Sequence, residues 1–200
     1  PSFYSLGINS VLTLFKNGGK AFLLADGTGV GKTRQILVTA KEFLNNFKGK
    51  VLIISENTTI LTKNFAKDAK ALGINMDEFD YGTYNDLRTG KVGKGEYGLV
   101  IYDEAHNLKN QESGKAIAAS NIKSGHNLYV TATPMDTVSS AVYFITEVSG
   151  VTEVEAYGML GLNVKVVVDP KTKEQTKVVT LKEGVQPQDI KRNIVKIREK

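Results

Sequence analysis

The chain has 200 residues, 41% hydrophobic and 24% charged, with four prolines and no cysteine, enough for one domain with a full core or a core domain plus a small appendage. No apolar run reaches the roughly 18–20 residues of a membrane span. No basic flank leads into a long apolar stretch at the N-terminus. The absence of Cys excludes disulfides and thiolate metal sites, and two isolated histidines do not make a zinc site. The expected setting is cytosolic or otherwise intracellular, with no membrane partner. The net charge of +5 is uneven: residues 1–160 carry 16 Lys+Arg against 16 Asp+Glu, and residues 161–200 carry 10 against 5. Such a tail fits either a grip on nucleic-acid phosphates or an ordinary solvated surface.

In chain order, short apolar runs alternate with helical patterns, as in a mostly parallel sheet covered on both faces. The predicted strands are 21–25, 51–55, 78–84, 97–103 and 127–133. Between them, residues 32–47 place Ile36, Leu37, Ala40, Phe43 and Leu44 on one helical stripe. Residues 58–72 predict a helix stopped by Gly73; 113–125 predict a shorter one, and 137–149 another ending before Gly150. From about residue 162 the pattern changes. Two Val-rich strands flank the turn at Asp169-Pro170, predicting a β-hairpin, and 186–200 predict a basic amphipathic helix with Ile190, Ile194 and Ile197 on one face. The expected division is 1–160 as the sheet domain and 161–200 as a hairpin–helix appendage or the start of another domain.

The chemistry concentrates in three stretches. The first, "LLADGTGVGKTRQ", passes from a strand through three glycines into a helix. Asp26, Gly27, Thr28, Gly29, Val30, Gly31, Lys32 and Thr33 form a candidate phosphate cradle, in which glycines allow close backbone approach and the helix N-terminus points its N–H groups at the anion. Lys32 is placed to reach the β- and γ-phosphates and Thr33 to offer a hydroxyl to magnesium. The strict pattern has glycine where Asp26 stands. In the second, "YGLVIYDEAHNLKN", Asp103 and Glu104 follow a buried strand, where ligands bind in open α/β sheets. One acid would hold magnesium there, and the other would orient water and take its proton. Alone, the pair also suits a helix N-cap. In the third, "LYVTATP", Thr131 and Thr133 close another core strand, where hydroxyls also serve simply to satisfy backbone groups.

Together these stretches resemble motifs I, II and III of the first motor domain of superfamily 2 helicases and translocases, in order, over roughly residues 1–150. The style is closest to Swi/Snf-type and strawberry-notch-like proteins: an aspartate stands at the position of Asp26, and motif II runs on to Leu108-Lys109-Asn110. The DEAD-box pattern fits less well, because motif II ends in His106, and the guanine signature of GTPases is missing. The resemblance implies a RecA-like α/β domain that binds ATP and Mg2+. Lys32 and Glu104 would be catalytic, and Asp103 and Thr33 would hold the metal. His106, Thr131, Ala132 and Thr133 would couple hydrolysis to nucleic acid, and Thr58 and Thr59 would contact its backbone unless they simply cap the next helix.

The implied function is the ATP-binding lobe of a duplex-DNA translocase or helicase, working with a second RecA-like domain in cis or in trans, since none is legible in the 66 residues after Pro134. Two alternatives stand beside it: a non-motor RecA-like binding module of a large phage or plasmid protein, and an RNA helicase lobe. One feature departs from the family. The upstream glutamine that reads adenine has no counterpart in "FYSLGINSVLTLF".

Overall fold

A computed structural model describes residues 3–25 and 31–198. The expectations placed on Asp26, Gly27, Thr28, Gly29 and Val30 therefore lie outside the described residues. The chain divides into two compact units, Pro1–Pro134 and Met135–Lys200.

The first unit is an α/β sheet domain. Helix α1 (Phe3–Lys16) precedes β1 (Ala21–Leu24), α2 (Lys32–Asn46) and β2 (Val51–Ser55). A π-helical turn (Ile60–Phe65) runs into α3 (Ala66–Leu72), which ends on Gly73 in the left-handed conformation. Strand β3 (Asp80–Thr83), α4 (Tyr84–Arg88), β4 (Glu96–Asp103), α5 (Gly114–Ser120) and β5 (Lys123–Val130) follow. The five strands are all parallel, in the order β1-β5-β4-β2-β3.

The near-continuous apolar runs of β2 and β4 are explained by this order. Both strands are flanked by neighbours and buried on both faces, so alternation with polar residues is lost. Val51, Ile53, Leu99, Ile101, Leu128 and Val130 share a core with Val11 and Phe15 of α1, Ile36, Leu37 and Phe43 of α2, and Phe65. Leu52, Ile54, Val100 and Tyr102, of opposite parity, are also buried. Each core side chain contributes about 1.5–3 kcal/mol.

Tertiary pairing moved several boundaries. The helix expected over 113–125 stops at Ser120, because Lys123 and Ser124 pair with Glu96 and Tyr97 as the first rungs of β5. The strand expected over 78–84 is confined to Asp80–Thr83. Thr83 and Asp86 form a capping box that turns the chain into α4. Helices α1 and α4 were not among the predicted elements.

The second unit contains α6 (Val138–Ser149) and α7 (Glu153–Met159), each opened by a capping box, at Thr137/Ser140 and Thr152/Glu155. The predicted hairpin is present as β6 (Leu162–Val168) paired antiparallel with β7 (Gln175–Leu181). Its turn is tied by the Asp169 carboxylate, which accepts the N–H groups of Lys171 at 2.7 Å and Thr172 at 2.9 Å. The basic helix is α8 (Pro187–Arg198), with Ile190 and Ile194 buried and Lys191, Arg192 and Lys196 exposed.

Candidate active site

The register aligns the carboxyl ends of the strands. Leu24 pairs with Val130, Val130 with Asp103, and Ile54 with Tyr102, so Ser55 falls beside Asp103 and opposite Thr83. Parity then aims both Ser55 and Asp103 at the sheet face that carries α2. Gly31 precedes that helix with φ 95°, a left-handed conformation that a side chain resists. Lys32, the first residue of α2, is buried.

Two chain segments thus meet at one point. Lys32 Nζ lies 2.8 Å from Glu104 Oε1. The other carboxylate oxygen of Glu104 is 3.3 Å from His106 Nδ1. The same nitrogen lies 3.3 Å from the hydroxyl of Thr131, which in turn accepts the N–H of Thr133 at 3.2 Å. Four of the residues read from the motifs (Glu104, His106, Thr131 and Thr133) therefore form one connected chain leading away from Lys32. Thr33 follows Lys32 in the first turn of α2, and Ala132 lies between the two linked threonines.

Asp103 is the deepest acid of the site. Ser55 Oγ donates to its Oδ2 at 3.2 Å and the Glu104 N–H to its Oδ1 at 3.0 Å. Burial, reinforced by the Glu104 charge and opposed by Lys32, pushes its pKa up to about 6. Glu104 itself sits at φ 50°, ψ 50°, left-handed for a non-glycine residue, a strain of order 1–3 kcal/mol of the kind found at functional sites. That conformation turns the chain out of β4 into a 3-10 turn (Ala105–Leu108) and swings the Glu104 side chain to Lys32 and His106. The N-cap alternative for Asp103 is not what forms, since its carboxylate accepts from the adjacent Glu104 N–H and from Ser55.

Several contributing residues had no role assigned from the sequence. Ser55 was visible only as the polar end of "VLIIS". Tyr84, fully buried, donates its hydroxyl to the Asp103 carbonyl at 2.7 Å. Asn107 donates to the Glu104 carbonyl at 3.0 Å, and Lys115 donates to Asn107 Oδ1 at 3.1 Å. Thr58 and Thr59 are exposed just beyond β2. The cap there comes from Asn57, whose Oδ1 accepts the Ile60 N–H at 3.0 Å.

The donor set suits magnesium, which takes one or two protein oxygens and completes its shell with water and phosphate. A buried carboxylate that resists ionisation, beside a second acid, is a place where cationic charge is relieving. Among the described residues no group of three or more His, Cys, Asp or Glu could hold a metal without such outside ligands. No helix among them is long and apolar enough to cross a membrane.

No family model matches the chain. The DNA excision repair protein ERCC-6-like of Homo sapiens is 28% identical over 158 residues, covering 64% of this chain and 13% of that protein. The SWI2/SNF2 ATPase core of Sulfolobus solfataricus in complex with dsDNA superposes with a TM-score of 0.63 at 20% identity, over 78% of this chain and 38% of that one. The SWI2/SNF2 ATPase core domain of Sulfolobus solfataricus gives 0.55 at 22% identity, over 80% and 35%. The chain thus spans little more than a third of those cores. Over most of its length it is similar in fold to the SWI2/SNF2 ATPase cores, the group its motifs resemble.

Proposed function

We propose that this chain is the ATP-binding lobe of a nucleic-acid-dependent ATPase that moves along duplex DNA together with a second RecA-like domain, in cis or in trans. The observation that carries the reading is the 2.8 Å contact between Lys32, at the start of α2, and Glu104, at the end of β4, with buried Asp103 beside it. Lys32 would bind the β- and γ-phosphates, and Gly31, with the loop before it, would bring backbone N–H groups to them. Asp103 and Thr33 would hold magnesium, which supplies neutralising charge to the phosphates.

The two Glu104 oxygens face Lys32 on one side and His106 on the other. An arriving anion competes for Lys32 and releases Glu104 to orient water and accept its proton. The link from Glu104 through His106 to Thr131 and Thr133 offers a path by which that change reaches a nucleic-acid surface, with Thr58 and Thr59 as further backbone contacts. The SWI2/SNF2 core bound to dsDNA supports duplex DNA as the partner. The setting fits an intracellular protein.

The test is ATP turnover by the chain with and without duplex DNA, single strands and RNA. Because loss of an arginine finger from a partner domain typically costs about 10³–10⁵ in rate, the 200 residues alone should bind ATP-magnesium and hydrolyse it slowly. Lys32→Ala should abolish binding. Fast turnover by the chain alone, lost in Lys32→Ala, would remove the need for a second lobe. Stimulation by RNA alone would make it an RNA helicase lobe, and binding without stimulation by any nucleic acid would favour a non-motor module. Reversing the charges of Lys191, Arg192 and Lys196 should weaken DNA binding if α8 grips phosphate; unchanged affinity assigns it to the solvated surface.

A further inference from the structure

The strained residue of the site is held from both sides. The carbonyl before the Glu104 Cα belongs to Asp103 and accepts the Tyr84 hydroxyl at 2.7 Å. The carbonyl after it belongs to Glu104 and accepts both the Asn107 side-chain amide at 3.0 Å and the Asn107 backbone N–H at 3.0 Å. Lys115 ties the two clamps together: its Nζ donates to Asn107 Oδ1 at 3.1 Å and sits 5.7 Å from the centre of the Tyr84 ring, within cation–π reach.

The Asn107 backbone N–H bond belongs to the 3-10 turn itself, but neither Tyr84 nor Lys115 is needed for the helix that carries it. Tyr84 opens α4, where the Thr83/Asp86 capping box already satisfies the helix start. Lys115 lies in the first turn of α5, where a cation opposes the helix dipole. Its location there is accounted for by what it reaches. A fully buried tyrosine must find a hydroxyl partner, and of the carbonyls in the core it meets the one that sets the plane of the Asp103–Glu104 peptide. Rotating that peptide out of its left-handed turn would carry the Glu104 carboxylate away from Lys32 and His106.

We infer that Tyr84, Asn107 and Lys115 are positioning residues for Glu104, clamping the two peptide planes that aim its carboxylate. The inference rests on the reading of Glu104 as the group that orients water in ATP hydrolysis. The test compares Tyr84→Phe, Asn107→Ala, Lys115→Ala and Lys115→Arg with the unaltered chain. Single-turnover hydrolysis is measured with enzyme in excess, and ATP-magnesium affinity by direct binding.

The first three variants should lose about tenfold or more in the hydrolysis step while nucleotide affinity stays within about twofold of the original. Lys115→Arg, which keeps a cationic donor, should restore most of the loss. A merely structural role would lower the fraction folded and so move binding and hydrolysis together. Should Tyr84→Phe fail to fold, the less buried Asn107 and Lys115 carry the test.

Crystal structures of the unaltered chain and of the Asn107→Ala/Lys115→Ala variant give a second readout that does not depend on turnover. The Glu104 φ should leave the left-handed region in the variant only. A Glu104 that stays near φ 50° in both, or hydrolysis unchanged in all variants while Glu104→Gln abolishes it, overturns the inference and leaves the role of Glu104 standing. Hydrolysis unchanged in Glu104→Gln overturns the underlying reading instead.

Discussion

Strand β4 and the β6–β7 hairpin are built from similar residues and meet opposite fates. In β4, Leu99, Val100 and Ile101 have no exposed surface. In the hairpin, Val166, Val167 and Val168 are 49–55% exposed, and Val178 and Val179 are 41–42% exposed. The difference lies in neighbours rather than in propensity. Strand β4 has β5 on one side, β2 on the other and apolar cores on both faces, whereas β6 and β7 pair only with each other. A two-stranded ribbon has little burial to stabilise it. The site chemistry belongs to the first kind of environment. Only a tightly packed scaffold holds a left-handed glutamate and a desolvated aspartate side by side.

The largest expected effect sharpens that contrast. Ile53→Ala, in the centre of β2, should cost about 2–5 kcal/mol, while Val167→Ala on the hairpin should stay within about 0.5 kcal/mol; urea melts of the two variants measure both. Equal costs would mean that the hairpin is as well packed as the sheet.

Asp103 comes next, and here the sheet unit carries a cost for its site. In the folded chain Asp103 keeps its proton up to about pH 6, while unfolded it loses it near 4. The native state therefore binds more protons between those values, and stability falls as pH rises through that window. The penalty is complete above the folded pKa and absent below the unfolded one. Asp103→Asn should raise the stability of the metal-free chain by about 2 kcal/mol at pH 7.5, and by almost nothing at pH 4. The Ser55 hydroxyl can turn to serve the amide. Thermal melts at the two pH values decide it, and a loss of stability at pH 7.5 would contradict the desolvation of Asp103.

Close packing predicts a third effect. A Cβ on Gly98 would stand 2.5 Å from the Lys48 carbonyl oxygen and 2.8 Å from the Phe43 ring. Gly98→Ala should cost about 1–3 kcal/mol, read from the same melts. The smallest effect lies at the sheet edge. Asp86→Ala removes half of the capping box and should cost about 1 kcal/mol at neutral pH. Because the Thr83 hydrogen bonds hold the Asp86 carboxyl below its ordinary range, that stabilisation is present above the unfolded pKa and is lost as pH falls through the lowered one. Melts taken at successively lower acid pH should show the gap between Asp86→Ala and the unaltered chain narrowing.

The amino-acid sequence alone carried the α/β class, the parallel sheet, the hairpin and α8, because hydrophobic period and turn residues are local signals. Through motif order it also assigned Lys32, Asp103 and Glu104 to one expected nucleotide site, while the 2.8 Å contact between Lys32 and Glu104 came from the fold. Helix α4 escaped because five residues show too little periodicity. The true start of β5 escaped because "NIKSG" has no strand character of its own and takes it from pairing with Glu96 and Tyr97. Ser55, Tyr84, Asn107 and Lys115 became site residues only in the tertiary structure. The side chains of Ser55, Tyr84 and Asn107 meet Asp103 and Glu104 across separations of 48, 19 and 3 residues, and Lys115 reaches Asn107 across 8; packing of the folded chain decides such contacts. A sequence lists which groups are present, while the left-handed turn at Glu104 and the desolvation of Asp103 exist only once the sheet has closed around them.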